Sequence, residues 1–360
     1  MADKYIMDGH KLFWHLDRVN AWQGGERIAP LHIDVGLSKG CNIRCAYCFG
    51  AMQGNSFAEG AAYFPRDPLL RYLRDAGVAG VRSMAFIGEA EPLLNPHVYE
   101  AIVCGKKSGV DISLGTNGIL FDTGRDGEEA LEHLSWLRFN ISAATAEAYS
   151  RVHGSSLFAM ALDKIRHAVA VKRRLGLGVT IGLQMVLIPE NVDQVLPLAR
   201  LGRELGVDYL VVKQCSDTVD NTLGVFNRLG EYAGFADALA EAEALSADSY
   251  SVIIKWQKVT NRGVRNYGSC LGVPFLLYSS GDGRLYPCGM FFNHHEEAFR
   301  MGDLVEHSLL EILDSDRYWD VVRRVGDIDV RNDCYANCRT DSINDFLWKL
   351  THPPEHLNFI

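Results

Sequence analysis

The chain has 360 residues, of which 48% are hydrophobic and 22% are charged, and its formal net charge is −9. This composition is that of a folded globular protein, and the length indicates one large domain with a smaller one beside it. The acidic balance argues against a general nucleic-acid binder, and no apolar run approaches the ~20 residues that cross a bilayer. The polar N-terminus lacks a signal-peptide pattern, so the sequence predicts a cytoplasmic protein with no membrane partner.

Strand-like and helical patterns alternate over the first 250 residues. Apolar, β-branched runs predict strands at 32–37, 83–88, 110–115, 136–142, 179–187 and 208–213. Helical patterns lie between them, with start signals at Asp67-Pro68 and Asn95-Pro96 and further helices at 158–175, 191–206 and 228–247. This alternation predicts an α/β fold with a parallel sheet, which right-handed crossovers roll into a full or partial barrel.

The pattern changes near residue 250. Two apolar runs flank Gly281-Asp282-Gly283, which predicts a β-hairpin, and the pair Ser308 and Glu311 forms a capping box that opens a helix to about residue 325. The sequence therefore predicts three parts: an N-terminal extension over 1–30, an α/β core over 31–249 and a separate small α+β domain over 250–360.

Three of the nine cysteines follow the first predicted strand. Cys41, Cys45 and Cys48 have the spacing C-x3-C-x2-C and lie at the sheet edge where α/β proteins bind ligands. In a long chain without a signal peptide, such grouped cysteines favour metal or cluster ligation over disulfides. Three thiolates hold three irons of a [4Fe–4S] cluster and leave the fourth iron open. A zinc site or unrelated thiols are the alternatives, although zinc takes four ligands.

The loop GCNIRCAYCFG, in which Tyr47 directly precedes the third cysteine, resembles the signature of the radical S-adenosylmethionine (SAM) family. The resemblance implies a partial (β/α)6 barrel and a [4Fe–4S] cluster whose open iron is chelated by SAM. It also implies reductive cleavage of SAM to a 5′-deoxyadenosyl radical, which abstracts hydrogen from the substrate, and a reducing partner such as flavodoxin or ferredoxin.

Further segments resemble the turns with which this family binds SAM. The segment 88–96 (GEAEPLLNP) follows the second strand and is similar to the family's G-x-G-E-P-L-L, with Ala90 in place of the second glycine. The resemblance implies that Glu91, or Glu89 beside it, receives the SAM ammonium group. An ordinary charged turn, or a common Asn-Gly turn at Asn117, is the alternative. The candidate SAM-binding residues are Tyr47, Glu89, Glu91, Asn117, Asn140 and Ser142.

The C-terminal cysteines resemble a second cluster site. Cys270 and Cys288 enclose the pattern C-x12-G-x4-C, which is similar to the opening of the SPASM or twitch extension of radical SAM enzymes, and Cys334 and Cys338 add two thiolates. The resemblance implies a twitch-like domain with one auxiliary [4Fe–4S] cluster, because a full SPASM domain has seven cysteines. Two cysteine pairs are also a zinc-ribbon pattern, which is the alternative.

The loop after the sixth strand carries several polar candidates. Cys215 is placed to return a hydrogen atom to a substrate radical, as in an epimerase, and the alternative is a packed cysteine. Lys213, Gln214 and Asp217 are candidates for binding a polar substrate. The basic stretch 255–265 either holds a phosphate or carboxylate of the substrate or is a solvated linker.

Three functions follow from these features. The leading one is dehydrogenation or epimerisation of a small hydroxylated molecule such as a sugar, aminocyclitol or nucleotide sugar. Only about 30 residues precede the first strand, which leaves little room for a peptide-binding domain. One auxiliary cluster is also typical of dehydrogenating relatives. The second is modification of a peptide or protein side chain. The third is a non-catalytic iron–sulfur or zinc protein, which would not cleave SAM.

Overall fold

The computed structural model describes residues 4–48, 62–218 and 220–359, and the strands within them form one ten-stranded sheet. The strands are β1 His32–Val35, β2 Ser83–Phe86, β3 Asp111–Thr116, β4 Leu134–Asn140, β5 Thr180–Leu187, β6 Tyr209–Gln214, β7 Ser251–Ile254, β8 Leu276–Ser279, β9 Arg284–Tyr286 and β10 Gly302–Asp303. Their order is β10-β9-β8-β1-β2-β3-β4-β5-β6-β7. Neighbours from β8 through β1 to β7 pair in parallel, and β9 pairs antiparallel with β8 and β10.

Helices cross between the parallel strands and bury apolar faces against the sheet. The α-helices are α1 Leu16–Gln23, α2 Arg66–Ala79, α3 Val98–Lys107, α4 Arg125–His133, α5 Ala146–His153, α6 Phe158–Leu175, α7 Val195–Leu205, α8 Val225–Arg228, α9 Ala236–Glu243, α10 Trp256–Thr260, α11 Glu296–Phe299, α12 Leu309–Asp314, α13 Asp316–Gly326 and α14 Asp341–Thr351. Short 3-10 turns lie at Leu12–Trp14, Pro92–Leu94, Pro189–Gln194, Glu231–Phe235 and Gly289–Phe292.

All six strands predicted for the core are present, each within a few residues of its expected bounds. Two predicted helices are broken instead of continuous. The helix predicted over 228–247 is replaced by α8, a 3-10 turn and α9, with Gly230 and Gly234 in the interruption, where helix propensity is low. The predicted capping box between Ser308 and Glu311 is present, but the helix stops at Ser315, whose side chain caps the next one.

The sheet curves around a central cavity of about 370 Å³. Side chains from β1, β4, β5, β6 and β8 all line this cavity, which requires the sheet to wrap around it. Within the described residues the outermost strands β7 and β10 do not pair with each other, so the barrel is open. The predicted α/β fold with a partial (β/α)6 barrel is therefore confirmed.

The C-terminal part shares this sheet with the core. β8 lies parallel to β1, with His32 opposite Leu276 and Val35 opposite Ser279, and β7 extends the sheet at the other side. The expected boundary at residue 250 consequently falls between strands of one sheet. The approach is close, because a Cβ atom at Gly36 would lie 2.8 Å from the backbone nitrogen of Gly281.

Residues of the predicted N-terminal extension pack against the C-terminal part. Leu12, Val19 and Ile28 form a small apolar cluster with Phe275, just before β8, and Leu347 on α14. The extension thereby covers the outer side of the junction between the core and the C-terminal part. In the portion of the chain that the structure describes, no helix is both long and apolar enough to cross a membrane.

Candidate active site

The three cysteines after β1 all line the central cavity. Burial, with smaller contributions from the nearby Glu91 and Cys48, raises the pKa of the Cys41 thiol to about 12. Burial also raises the pKa of Cys45, and Cys48 and Cys41 add to this effect, so the three sulfurs lie close enough to influence one another. Cluster binding therefore displaces protons from these thiols, as ligation of thiolates requires.

Among residues 4–48, 62–218 and 220–359, no three His, Cys, Asp or Glu side chains converge as ligands of one metal ion. A cubane does not require that convergence, because each thiolate binds a different iron. All nine cysteines are free thiols, so no disulfide competes for them.

His153, at the end of α5, contacts the second cysteine of the loop. Its Nδ1 lies 3.2 Å from Cys45 Sγ, and the backbone N–H of Ser142 donates to its Nε2 at 2.9 Å. Because Nε2 accepts, Nδ1 carries the proton and donates to the sulfur. Burial lowers the pKa of His153 to about 3, so the ring stays neutral. The sequence prediction missed this histidine, since nothing at a helix end marks it.

The Tyr47 hydroxyl joins two of the predicted SAM-binding residues. It accepts hydrogen bonds from Ser142 Oγ at 2.8 Å and from Asn140 Nδ2 at 3.2 Å. Ser142 is fully buried, and its hydroxyl also accepts a hydrogen bond from Val186 N at 3.0 Å. It therefore joins the end of β4 to β5 at the cavity wall. Asn140 lines the cavity itself and accepts from Gln184 Nε2 at 3.1 Å.

The carboxylate of Glu91 is buried at the cavity wall near the cysteine loop. It accepts hydrogen bonds from Thr116 Oγ1 at 2.6 Å, Asn117 N at 2.8 Å and Leu93 N at 3.1 Å. Burial raises the pKa of Glu91, while these three donors lower it. Asn117 adds a bond from Nδ2 to Asn42 Oδ1 at 2.7 Å, within the cysteine loop. The turn after β3 is thereby fixed to both the acidic segment and the cysteine loop.

Glu89 has a different set of contacts. Its carboxylate accepts a hydrogen bond from the backbone N–H of Gly281, in the turn between β8 and β9. Gly88 before it has φ of 124°, a conformation that favours glycine. Glu89 lines the cavity and also ties the loop after β2 to the C-terminal part.

The four C-terminal cysteines line a second cavity together. Thr340 Oγ1 lies 3.2 Å from Cys338 Sγ, and Asn344 Nδ2 donates to Cys270 Sγ at 3.7 Å. Two residues of the basic stretch hold the backbone here: Lys258 Nζ donates to the carbonyl of Cys338 at 2.9 Å, and Arg265 donates to that of Tyr335. Four thiols facing one cavity fit a fully ligated auxiliary cluster. The four are Cys270, Cys288, Cys334 and Cys338.

The residues after β6 separate into two groups. Lys213, Gln214 and Cys215 line the central cavity. Asp217 does not lie among the lining residues; its carboxylate accepts the backbone N–H groups of Thr218, Leu223 and Val225 and so holds the following loop together. A structural role accounts for its contacts, in place of the substrate contact predicted from sequence.

Three charged residues of the cavity were missed by the sequence prediction. Asp34 lies on β1 and Arg138 on β4, each between two apolar residues, and Arg339 follows the last cysteine. Arg339 Nε lies 2.9 Å from Asp34 Oδ2, and His32 Nε2 lies 3.0 Å from Asp34 Oδ1. A charge inside a buried strand was the available signal, because such a group faces either a partner or a cavity.

The fold and the two thiol sites together define an iron–sulfur enzyme built on an open α/β barrel. The family model of the radical SAM superfamily matches residues 35–202, and that of the SPASM iron–sulfur cluster-binding domain matches residues 276–340. The chain belongs to the radical SAM superfamily and carries a SPASM-type C-terminal domain. Its cofactors are SAM, the SAM-binding [4Fe–4S] cluster and an auxiliary iron–sulfur cluster.

Several known proteins are similar over most of the chain. The AdoMet-dependent heme synthase of Methanosarcina barkeri is 24% identical over 76% of this chain and 81% of its own length. The tungsten-containing aldehyde ferredoxin oxidoreductase cofactor-modifying protein of Pyrococcus furiosus is 24% identical over 86% of both chains. The structure of Streptococcus suis SuiB bound to the precursor peptide SuiA superposes with a TM-score of 0.61 at 15% identity, covering 90% of this chain and 74% of SuiB.

Proposed function

We propose that the chain is a radical SAM enzyme that modifies a side chain of a peptide or protein by removing a hydrogen atom. SuiB, which shares the fold, was solved with its precursor peptide, and this favours a peptide over the small hydroxylated substrate expected from sequence. The expectation of a small substrate rested on the short N-terminal extension and on the single auxiliary cluster. The first is a weak guide, because a partner protein or a leader segment can substitute for a peptide-binding domain.

One observation carries the proposal: a single cavity connects the cysteine loop with the C-terminal part. Tyr278 on β8, Phe292 and Tyr335 line the same space as Cys41, Cys45 and Cys48. A side chain that enters this cavity lies between the site of radical generation and the auxiliary cluster domain. The same walls carry charged and amide side chains, and polar groups that converge on an enclosed cavity are typical of ligand pockets.

When bound, the cluster and SAM supply a strong acceptor for a hydrogen atom. The residues around them fix geometry and exclude water. The buried Glu91 carboxylate presents negative charge to an ammonium group, and its three hydrogen bonds prevent it from rotating. Asn140 and Gln184 hold each other across β4 and β5, so the polar wall beside Tyr47 is preorganised.

Two reactions begin with the same hydrogen abstraction. Loss of one further electron, which the auxiliary cluster held by the four C-terminal cysteines would accept, and of one proton to water gives an oxidised side chain. Return of a hydrogen atom from Cys215 gives an epimer, and the resulting thiyl radical must then receive an electron from the reductant and a proton from water.

The placement of Cys215 supports epimerisation as the alternative to oxidation. Its thiol lines the cavity. Within the described residues, the one hydrogen-bond partner of Sγ is the carbonyl oxygen of Ser216, at 3.4 Å. Burial raises the pKa of this thiol to about 12, so the S–H bond persists at neutral pH. A protonated thiol is the form that donates a hydrogen atom.

Anaerobic turnover in D2O tests the proposal. The reconstituted protein, SAM and dithionite are incubated with a pool of synthetic peptides or, separately, with a pool of sugars and aminocyclitols, and products are read by mass spectrometry. Oxidation removes two hydrogens from a peptide, whereas return from Cys215 adds one deuterium. Modification of the sugar pool without any change in the peptides would contradict the proposal.

A further inference from the structure

Three cations at one end of the central cavity have no partner. Arg138 on β4, Lys213 on β6 and Lys255 directly after β7 all line the cavity and are half-buried. Across the residues that the structure describes, none of the three head groups makes a hydrogen bond or an ion pair with another side chain. Strands β4 and β6 and the end of β7 thus bring three cationic side chains to one place.

The neighbouring charged groups compensate these cations only in part: Asp34 attracts Arg138 as well as its own partners. Lys258 and Arg339 lie nearby and add positive charge, although each has its own partner, the Cys338 carbonyl and Asp34. Asp34 is shared between Arg339 and His32, and it is the carboxylate that lines this end. Burial, together with the repulsion from these cations, lowers the pKa of Lys213 to about 7 and also lowers the pKa of Lys255.

Buried like charges without partners cost free energy, and an anion placed among them removes that cost. Three cationic donors around one space are suited to a carboxylate.

The three cations lie deeper in the barrel than the predicted SAM-binding residues. On β4, Arg138 lies two residues before Asn140. On β6, Lys213 lies two residues before Cys215, which directly follows the strand. Each pair points to the same face, and two residues of a strand span about 7 Å. The cations are therefore deeper in the barrel than the cysteine loop, where a substrate group is expected and the SAM carboxylate is not.

We propose that Arg138, Lys213 and Lys255 form a subsite that binds the carboxylate of an acidic side chain in the substrate. The choice of a peptide as its carrier rests on the proposed function, whereas the anion subsite itself does not. The subsite holds the acidic residue and so positions a neighbouring C–H bond toward the SAM end of the cavity. It makes the enzyme selective for peptides with an aspartate or glutamate at or beside the modified position.

Titration calorimetry on the reconstituted, SAM-saturated protein tests this subsite. The probes are N-acetyl-Gly-Glu-Gly-amide, its Gln counterpart and inorganic phosphate. We expect the Glu peptide to bind about tenfold more tightly than the Gln peptide, and Lys255→Met to remove that preference. Lys107→Met, at the exposed end of α3, is the matched control and should retain the preference. Iron content and SAM binding verify that each variant is folded.

Three outcomes would overturn the proposed subsite, and a fourth would overturn only the proposed function. Equal binding of the Glu and Gln peptides would remove the subsite. Binding of phosphate without the Glu peptide would assign it to a phosphorylated small molecule. Displacement of SAM by the Glu peptide would assign the cations to the SAM carboxylate. A preserved Glu preference together with unmodified peptides in the turnover assay would instead refute the proposed function and leave the anion subsite standing.

Discussion

The two ends of the central cavity are built in opposite ways. At the end near the cysteine loop, polar groups are already satisfied: Glu91 accepts three hydrogen bonds and Tyr47 accepts two. At the other end, Arg138, Lys213 and Lys255 repel one another without partners among the described residues. The first end is a rigid template for cofactors of constant shape. At the cationic end, the side chains repel one another, and an anionic ligand reduces this repulsion. Binding there therefore depends on the charge of the ligand.

The largest effect on activity is expected when a cluster ligand is removed at the end near the cysteine loop. Cys45→Ala removes one of the three cluster thiolates, so dithionite-driven formation of 5′-deoxyadenosine should fall below detection. The assay follows 5′-deoxyadenosine by liquid chromatography, beside iron content. Cys104→Ala is the control, because that half-buried thiol on α3 contacts the carbonyl of Leu70 and lies away from the cavity. Cleavage retained by the Cys45 variant would refute the assignment of the cluster site.

The charge dependence of the other end is tested by pH. Lys213 faces Arg138, Lys258, Arg339 and Cys215, and its pKa of about 7 means that it is charged below and neutral above that pH. Because an anion favours the charged form, affinity for the Glu peptide should fall about tenfold from pH 6 to pH 8. In Lys213→Arg the guanidinium stays charged, so this dependence should flatten. Equal slopes in both proteins would show that Lys213 does not bind the anion.

A smaller effect is expected from His153, which donates to a cluster ligand. A hydrogen bond to a thiolate stabilises the more negative, reduced cluster. Removing a bond worth about 1 kcal/mol by His153→Phe should lower the reduction potential by about 40 mV. The measurement is a redox titration followed by electron paramagnetic resonance. Tyr149→Phe is the control, because Tyr149 stacks on the same ring while its hydroxyl has no partner in the described residues. Equal potentials in all three proteins would contradict the tautomer assignment.

The smallest effect is expected from the ion pair that spans the junction. Burial raises the pKa of Asp34, but Arg339 and His32 outweigh burial and hold the pKa below its ordinary value. The pair therefore stabilises the fold above about pH 4 and loses this contribution as the pH falls. Asp34→Asn should cost about 1 kcal/mol in urea unfolding at pH 7, since the Arg339 side chain is 42% exposed. Asp316→Asn, from an exposed pair with Arg27, should change little.

Most of the fold was predictable because its signals are local. The strands and helices of the barrel show apolar periodicity, and the hairpin at Gly281 has a turn sequence that needs no distant partner. The pairing of β8 with β1 was not predictable, since it joins residues about 240 positions apart and depends on close contact between backbones at Gly36. The break at Ser315 was missed because a serine inside a helical pattern is also tolerated.

The site was predictable where spacing carries the chemistry. The cysteines after β1 and the segment around Glu91 could be singled out because their residues lie close in sequence, and the C-terminal cysteines because their spacing resembles a family pattern. His153 and Arg339 were missed because their roles arise only from contacts across the fold, with Cys45 and Asp34. Asp217 was placed on the right loop, yet its carboxylate turns to the backbone, and alternation along a loop cannot be read from sequence.

The parallel pairing of β1 with β8 constrains how such proteins are recombined. A chimera cut at residue 250 would exchange β8 together with its complementary contacts: Gly36 against Gly281, and Glu89 against the N–H of Gly281. The incoming hairpin would have to match the edge of a foreign first strand. An exchange of substrate specificity between relatives is therefore better made by replacing cavity side chains than by transplanting the C-terminal part as a module.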